Sequence, residues 1–306
     1  MDQDPLDRPD RTARAEARTP IDRPSWGQLP LGRRGVLVAG GLIAGFTRAT
    51  ARAATPAIHT DSKGLATGIV DLAVPGGQMP AWFARPAKPT GKLATILVLE
   101  EIFGVHEYIR DVCRRLAKLG YLAIAPELYW RHPELAHLTD AAAIQREVIA
   151  KTADADVMAD IDATSRWAVG AGGGDGRRIG VLGFCRGGRD TWLYAAHATD
   201  LRAAVAFYGP LGGAPGPIQP ETALQAAGKI HCPMLALYGG KDMSSTPAQI
   251  AEAKAAARAA GRTVETITYP EAGHGFHADY RPSYDPQAAK DGWAHAIAWF
   301  RSHGLA

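Results

Sequence analysis

The stretch that decides the fold is Arg178–Gly188, which reads RIGVLGFCRGG. A strand-like run leads into a cysteine between two glycines, and a helical pattern over Arg186–His197 follows. The glycines permit a strand-to-helix turn that is too tight for Cβ atoms nearby. Such a turn would expose the Cys185 thiol at a helix start, where free N–H groups and the helix dipole favour a thiolate and a developing oxyanion. The alternative is a buried, inert thiol, because glycine-rich turns of this kind also bind phosphate or simply pack.

Strands and helices alternate on both sides of this stretch. The near-continuous apolar run Ala94–Glu100 predicts a strand buried on both faces. The other predicted strands are Gly68–Val74, Gln78–Arg85, Tyr121–Ala125, Ala203–Tyr208, Met234–Tyr238 and Thr263–Tyr269, and the other predicted helices are Glu107–Leu119, Ala141–Ala168 with a break near Thr152–Asp156, Gln249–Ala260 and Pro286–His303. This order predicts one α/β domain, a mostly parallel twisted sheet of about eight strands with helices on both faces.

Two further residues follow predicted strands at the edge where open parallel sheets bind ligands. Asp242 comes just after the strand MLALY, and His274 lies in a glycine-flanked loop after TVETITY. Each residue taken singly has a structural alternative: Asp242 could cap the next helix, and His274 could occupy a turn. The chain order of nucleophile, acid and histidine is that of the α/β-hydrolases. Together the residues predict a Cys-His-Asp triad, in which His274 takes the thiol proton and Asp242 fixes its orientation.

An acidic residue also enters this edge after the strand ATILVLE, where the chain reads EIFGVH from Glu101. The loop after this strand is where α/β-hydrolases place the second oxyanion N–H, and a buried carboxylate there needs a partner. The four motifs EIFGV, GFCRGG, GGKD and GHGF, in this order, resemble those of the dienelactone hydrolase family, the carboxymethylenebutenolidases. The resemblance covers about residues 65–304 and implies the α/β-hydrolase fold.

The resemblance also implies roles for single residues. Cys185 would be the nucleophile, and Glu101 the base that pairs with the thiol at rest and deprotonates it when substrate binds. The thiolate would then attack the lactone carbonyl, without a cofactor. The backbone N–H groups of Ile102 and Arg186 would form the oxyanion hole.

The candidate substrate-binding residues depart from the family pattern. Family enzymes that act on dienelactone hold its carboxylate with arginines, one of them four residues after the histidine. Here that position is Ala278, with Arg281 three residues further on, and Arg146 is a candidate for the other arginine. Tyr208, near a predicted strand end, could line an apolar pocket, with packing as the alternative.

The excess positive charge is confined to the first 53 residues. The formal net charge is +3, from 34 basic and 31 acidic residues, and residues 1–53 hold nine arginines against six acids. Arg33-Arg34, the apolar run Gly35–Phe46 and the small residues after it have the order of a twin-arginine export signal. The run is too short to span a bilayer. We therefore expect residues 1–53 to be a cleaved leader that engages the twin-arginine machinery, and 54–306 to be an exported domain, periplasmic or secreted. An uncleaved anchor, a packed tail and a cytoplasmic protein are the alternatives.

Several other classes of protein are disfavoured. The charge-neutral body gives no indication of a nucleic-acid partner, so we expect none, and no nucleotide-binding motif follows a strand. The three cysteines lack disulfide or metal spacing, and no acid or thiol has ligand spacing to both His106 and His277, so we expect no metal.

The predicted function is hydrolysis of a lactone or small ester through a thioester. The alternatives are a general exported carboxylesterase and a non-catalytic binding protein on the same fold; the oligomeric state stays open.

Overall fold

The structure, a computed structural model, describes residues 58–306, so the predicted leader lies outside it. Its sheet has eight strands in the order β1-β2-β4-β3-β5-β6-β7-β8. The strands are β1 (Leu65–Val74), β2 (Gly77–Pro86), β3 (Leu93–Leu99), β4 (Leu122–Pro126), β5 (Gly174–Phe184), β6 (Leu201–Phe207), β7 (Met234–Gly239) and β8 (Val264–Tyr269). Only the pairs β1–β2 and β2–β4 are antiparallel. The predicted α/β-hydrolase architecture is confirmed.

Residues 58–306 contain seven α-helices, six of them between strands and one after β8. They are α1 (Glu107–Lys118), α2 (Ala141–Glu147), α3 (Asp154–Val169), α4 (Arg186–His197), α5 (Ala223–Ala226), α6 (Pro247–Ala259) and α7 (Pro286–Ser302). The break predicted near Thr152–Asp156 is confirmed, because a 3₁₀ turn and an extended Ala153 separate α2 from α3. The short helix α5 was not predicted. Between residues 58 and 306, no helix combines the length and the apolar character that crossing a membrane requires.

The central strand β3 is buried on both faces, as its apolar sequence predicts. Leu97 and Leu99 belong to one hydrophobic cluster, which includes side chains of α3, α4 and α6. Ile96 and Val98 belong to a second cluster, which includes side chains of α1 and α7. Because alternate residues of a strand point to opposite faces, one strand contributes to two cores, and helices cover both sides of the sheet.

The turn between β5 and α4 brings Cys185 to the carboxyl edge of the sheet. Cys185 has φ 53° and ψ −117°, a conformation that side-chain-bearing residues rarely adopt. Its N–H donates to Phe207 O at 3.0 Å, and the N–H of Gly187 donates to Glu100 O at 3.0 Å. These bonds tie the turn to the ends of β6 and β3. The strain at Cys185 persists because its neighbours fix the backbone on both sides.

The close approach at Gly187 generates a stability prediction. A Cβ on this residue would collide with the carbonyl oxygens of Leu99 and Glu100. We expect Gly187→Ala to lower the free energy of unfolding by about 2 kcal/mol or more. Gly91→Ala is the matched control, because a Cβ there meets no atom within 4 Å. Chemical denaturation of both variants measures the effect; equal stabilities would contradict the close approach.

Candidate active site

Cys185, Asp242 and His274 all lie at the carboxyl edge of the sheet. Cys185 is partly exposed at the start of α4. Asp242 follows β7, is 6% exposed, and places its Oδ2 atom 2.8 Å from Nδ1 of His274. The backbone N–H of Ser244 donates to the other carboxylate oxygen at 2.8 Å. The acid is thus held from two sides and fixes the orientation of the imidazole.

The charges of this cluster alter its titration. Burial alone would lower the pKa of His274, but hydrogen bonds with Asp242 and Cys185, and the charges of both, raise it to about 10. Burial would raise the pKa of Asp242, but the hydrogen bond and charge of His274, with help from Ser244, lower it. A histidine in this setting can hold the proton that a thiol gives up.

Glu101 is fully buried two residues after β3, where its carboxylate has two partners from one distant loop. The hydroxyl of Tyr280 donates to Oε2, and Nη1 of Arg281 lies 3.2 Å from Oε1. A buried carboxylate needs such charge-assisted bonds, and a thiol is a much weaker donor. Within the described chain, Glu101 is therefore paired with Arg281 and Tyr280, and not with the Cys185 thiol as the family's resting state implies.

The loop that carries Arg281 places a guanidinium beside Glu101, whereas position 278 has no charged side chain. Ala278 is fully buried in the core and offers no polar group to a substrate. The Arg281 side chain is 23% exposed, and its guanidinium carbon lies 5.5 Å from the ring centre of Phe103. Burial would lower the pKa of Arg281, but the negative charges of Glu101 and Cys185 act in the opposite direction and raise it. The Arg281 guanidinium thus interacts electrostatically with both Glu101 and Cys185.

The other two candidate substrate-binding residues have different surroundings. Arg146 lies on α2 with its side chain 69% exposed, and its guanidinium pairs with Glu147 at 2.8 Å. The structure does not bring it into the cluster around Cys185. Tyr208 is fully buried directly after β6, with φ 39° and its ring centre 5.1 Å from that of His274. Tyr208 packs against the imidazole, so packing, the alternative reading, fits its position best.

The two predicted oxyanion donors belong to two different segments of the chain. Ile102 follows Glu101, and Arg186 is the first residue of α4, next to Cys185. Neither backbone N–H donates a hydrogen bond to another part of residues 58–306. The Arg186 side chain is buried and pairs with Asp190 and Asp154, each at 3.0 Å. This pairing fixes the first turn of the helix while its N–H groups remain available.

The two histidines of the neighbouring loops remain neutral. Burial and the charge of Arg110 lower the pKa of His106 to about 3, and burial lowers that of His277 to about 3 as well. Nδ1 of His277 lies 2.7 Å from the Tyr108 hydroxyl. In residues 58–306 no three potential ligands among His, Cys, Asp and Glu are grouped to hold a metal ion.

Tyr280 is a residue of the candidate site that the sequence did not reveal. The motif GHGF and its neighbour Arg281 drew attention to this loop, but nothing in the spacing indicated that a tyrosine there would contact Glu101, 179 residues away. The only sequence feature that could have indicated Tyr280 was its position directly before the candidate substrate-binding residue Arg281. Its ring packs edge-on against Phe103, with ring centres 6.3 Å apart.

Comparisons with known proteins found similar proteins over most of this chain. The family model described as "Dienelactone hydrolase family" matches residues 79–304. The chain is 49% identical to a "Putative carboxymethylenebutenolidase" of Methylorubrum extorquens, over 91% of this chain and 96% of that protein. A protein of the same name from Salmonella typhimurium is 45% identical, over 85% of this chain and 96% of the relative.

A solved structure is similar over the same region. It is titled as a putative dienelactone hydrolase from Klebsiella pneumoniae, and is 46% identical. Its TM-score is 0.75, covering 78% of this chain and 98% of that one. Matches of this extent and identity are not produced by a shared fold alone. The chain belongs to the dienelactone hydrolase family, and it is a hydrolase with the α/β-hydrolase fold.

Proposed function

We propose that this protein hydrolyses a lactone or small carboxylic ester by nucleophilic attack of Cys185, through a thioester and without a cofactor. The observation that carries the proposal is the grouping of a partly exposed thiol at a helix N-terminus with the His274–Asp242 pair, whose Nδ1 and Oδ2 atoms are 2.8 Å apart. The names of the curated relatives, which describe butenolide hydrolysis, support the same substrate class.

Acylation would proceed from a thiolate. The Cys185 sulfur attacks the carbonyl carbon, and the carbonyl electrons move to an oxyanion that the N–H groups of Ile102 and Arg186 stabilise. When the carbonyl re-forms, the carbon–oxygen bond of the alcohol breaks, and the alkoxide takes the proton that His274 holds. A lactone keeps its alcohol on the same molecule, so the thioester then carries the whole ring-opened substrate.

Deacylation would regenerate the thiolate. His274, now neutral, removes a proton from water, and the hydroxide attacks the thioester carbonyl. The carbon–sulfur bond breaks, and the thiolate with its protonated histidine returns. Asp242 holds the imidazole in one orientation through both halves of the reaction. Each step conserves protons within the site and needs only water as co-substrate.

Glu101 would supply the gating that the family resemblance implies. Its pairing with Arg281 and Tyr280 keeps the carboxylate occupied. A substrate with its own carboxylate would compete with Glu101 for Arg281, because two negative charges beside one guanidinium repel each other. The released Glu101 would then take the proton of the Cys185 thiol while His274 keeps its own, and Glu101 would return that proton to the sulfur after deacylation.

A general carboxylesterase is the second candidate function. It is favoured by Ala278, which is fully buried where family enzymes that act on dienelactone have an arginine. With no arginine at position 278, a neutral ester would lose few binding interactions compared with an anionic lactone. A non-catalytic binding role is the third reading, and the fully assembled Cys185, His274 and Asp242 cluster disfavours it.

The leader belongs to the same proposal. Residues 1–53 would direct the folded protein through the twin-arginine machinery and be cleaved, leaving 54–306 as a periplasmic or secreted domain. The support is the order of the three signal-peptide parts in the sequence, from Arg33-Arg34 through Gly35–Phe46 to the small residues at 49–53.

The proposed nucleophile is tested on a panel of p-nitrophenyl esters, neutral lactones and carboxylate-bearing lactones. We expect Cys185→Ala to lower kcat/KM by a factor on the order of 10³ or more. Cys232→Ala, which removes a thiol that is 4% exposed, is the matched control and should retain activity. Full activity of Cys185→Ala would exclude the mechanism. Turnover of esters alone would select the carboxylesterase.

The raised pKa of His274 predicts a pH dependence of stability. Its ordinary value is 6.5 and its folded value about 10, so the charged imidazole stabilises the fold fully below pH 6.5, and this stabilisation is lost as the pH rises through 10. The difference in free energy of unfolding between wild type and His274→Gln should therefore shrink over this range. His295→Gln, at an exposed position on α7, is the control. A constant difference would contradict the ion pairing.

The export proposal predicts the behaviour of an arginine variant. Arg33→Lys with Arg34→Lys should leave an uncleaved precursor in the cytoplasm, because the twin-arginine machinery reads the paired guanidinium groups. Arg18→Lys with Arg23→Lys changes two other arginines of the same segment and should be exported normally. Fractionation and N-terminal mass spectrometry report both results. Equal export of the two variants would refute this route.

A further inference from the structure

The first described residues of the chain lie against the loop that holds Glu101. The N–H of Ile58 donates to Oδ2 of Asp279 at 2.8 Å, and the N–H of Thr60 donates to Oδ1 of Asp111 at 2.6 Å. Asp111 belongs to α1, and Asp279 belongs to the loop that follows His274. We call residues 58–60 the strap, because they join these two elements through their own backbone.

The two carboxylates that receive the strap are buried and share one cation. The side chains of Asp111 and Asp279 are 2% and 1% exposed. Nε of Arg115 lies 2.5 Å from Asp111, and its Nη2 atom lies 3.5 Å from Asp279. Oδ1 of Asp279 has no hydrogen-bond partner within residues 58–306. Asp279 therefore depends on the strap N–H and on a distant guanidinium, and the N–H bond is the shorter of the two.

Asp279 immediately precedes the two residues that hold Glu101. Tyr280 donates its hydroxyl hydrogen bond to Glu101, and Arg281 pairs with it at 3.2 Å. Because consecutive residues share one backbone, a shift of the anchored Asp279 moves both partners of Glu101. The neighbouring bond from the N–H of Arg281 to Ala278 O, at 3.0 Å, makes this segment a single tight turn.

We propose that the strap is a functional part of the enzyme, and that Asp279 is a positioning residue that transmits its anchoring to Tyr280, Arg281 and thereby Glu101. The effect on catalysis rests on the proposed role of Glu101, whereas the anchoring itself does not. The strap begins five residues after the expected end of the leader. Processing must therefore leave Ile58 in the mature chain, and removal of a few more residues would loosen the active-site loop.

The strap bonds come from backbone N–H groups, so proline is the substitution that removes them. Ile58→Pro deletes the donor to Asp279. His59→Pro is the matched control, because the N–H of His59 donates to no acceptor in residues 58–306. Both variants are made in the full-length chain, with thermal unfolding as the check on folding. Asp279→Asn, which keeps an acceptor but removes the charge, is the milder second variant in case Ile58→Pro does not fold.

Hydrogen exchange of residues 275–285 tests the anchoring without any substrate. We expect exchange there to become about 10-fold faster in Ile58→Pro than in wild type, because a charge-assisted bond to a buried carboxylate is lost. His59→Pro should match wild type. Equal exchange in both proline variants would overturn the strap, whatever the activity of the enzyme.

A double-mutant cycle tests the transmission to Glu101. Ile58→Pro should lower kcat/KM by about 10-fold in the wild-type background and by less than about twofold in a Glu101→Gln background, since the carboxylate that Tyr280 and Arg281 position is already gone. A purely structural strap would give equal losses in both backgrounds, which would overturn the route through Glu101. If wild type itself forms no acyl adduct at Cys185, the proposed function fails while the exchange result still decides the anchoring.

Discussion

The structure depends on the close approach of the β5–α4 turn to the end of β3. No side chain fits between Gly187 and the carbonyl oxygens of Leu99 and Glu100, and the N–H of Gly187 donates directly across the gap. This contact brings Cys185 beside the loop that begins with Glu101, so the thiol, one acidic residue and two free N–H groups meet at one edge. The strained backbone at Cys185 is the consequence, and the sheet on either side holds it in place.

Around this turn, the charges of the site are distributed over two separate buried pairs. Asp242 holds His274, and Arg281 holds Glu101, with Cys185 close to both cations. Burial makes an unpaired ion costly, so the two members of each pair compensate for each other's burial. A substrate that alters either pair would change the charges close to the sulfur, which gives the site a means of responding to what binds.

Much of this site could be predicted from local sequence, and the rest depends on distant contacts. The sequence shows a glycine-flanked cysteine after one strand, and an acid and a histidine after later strands. Predicting that the three lie together required only the rule that the carboxyl ends of parallel strands meet at one edge of the sheet. The pairing of Tyr280 with Glu101 joins residues 179 positions apart and leaves no local pattern. The surroundings of Arg146 could not be predicted for the same reason, because nothing near it in sequence reveals that α2 presents it to solvent beside Glu147. The strap, too, exists only through its tertiary contacts.

The central claim is that Cys185 forms a covalent acyl intermediate, and rapid-quench mass spectrometry during turnover of a lactone tests it most directly. Because a lactone keeps its alcohol after ring opening, the account predicts a peptide containing Cys185 whose mass has increased by that of the whole substrate. The adduct should appear before free product and disappear as substrate is exhausted. Turnover with no adduct on this peptide at any time, or an adduct on another residue, would contradict the account.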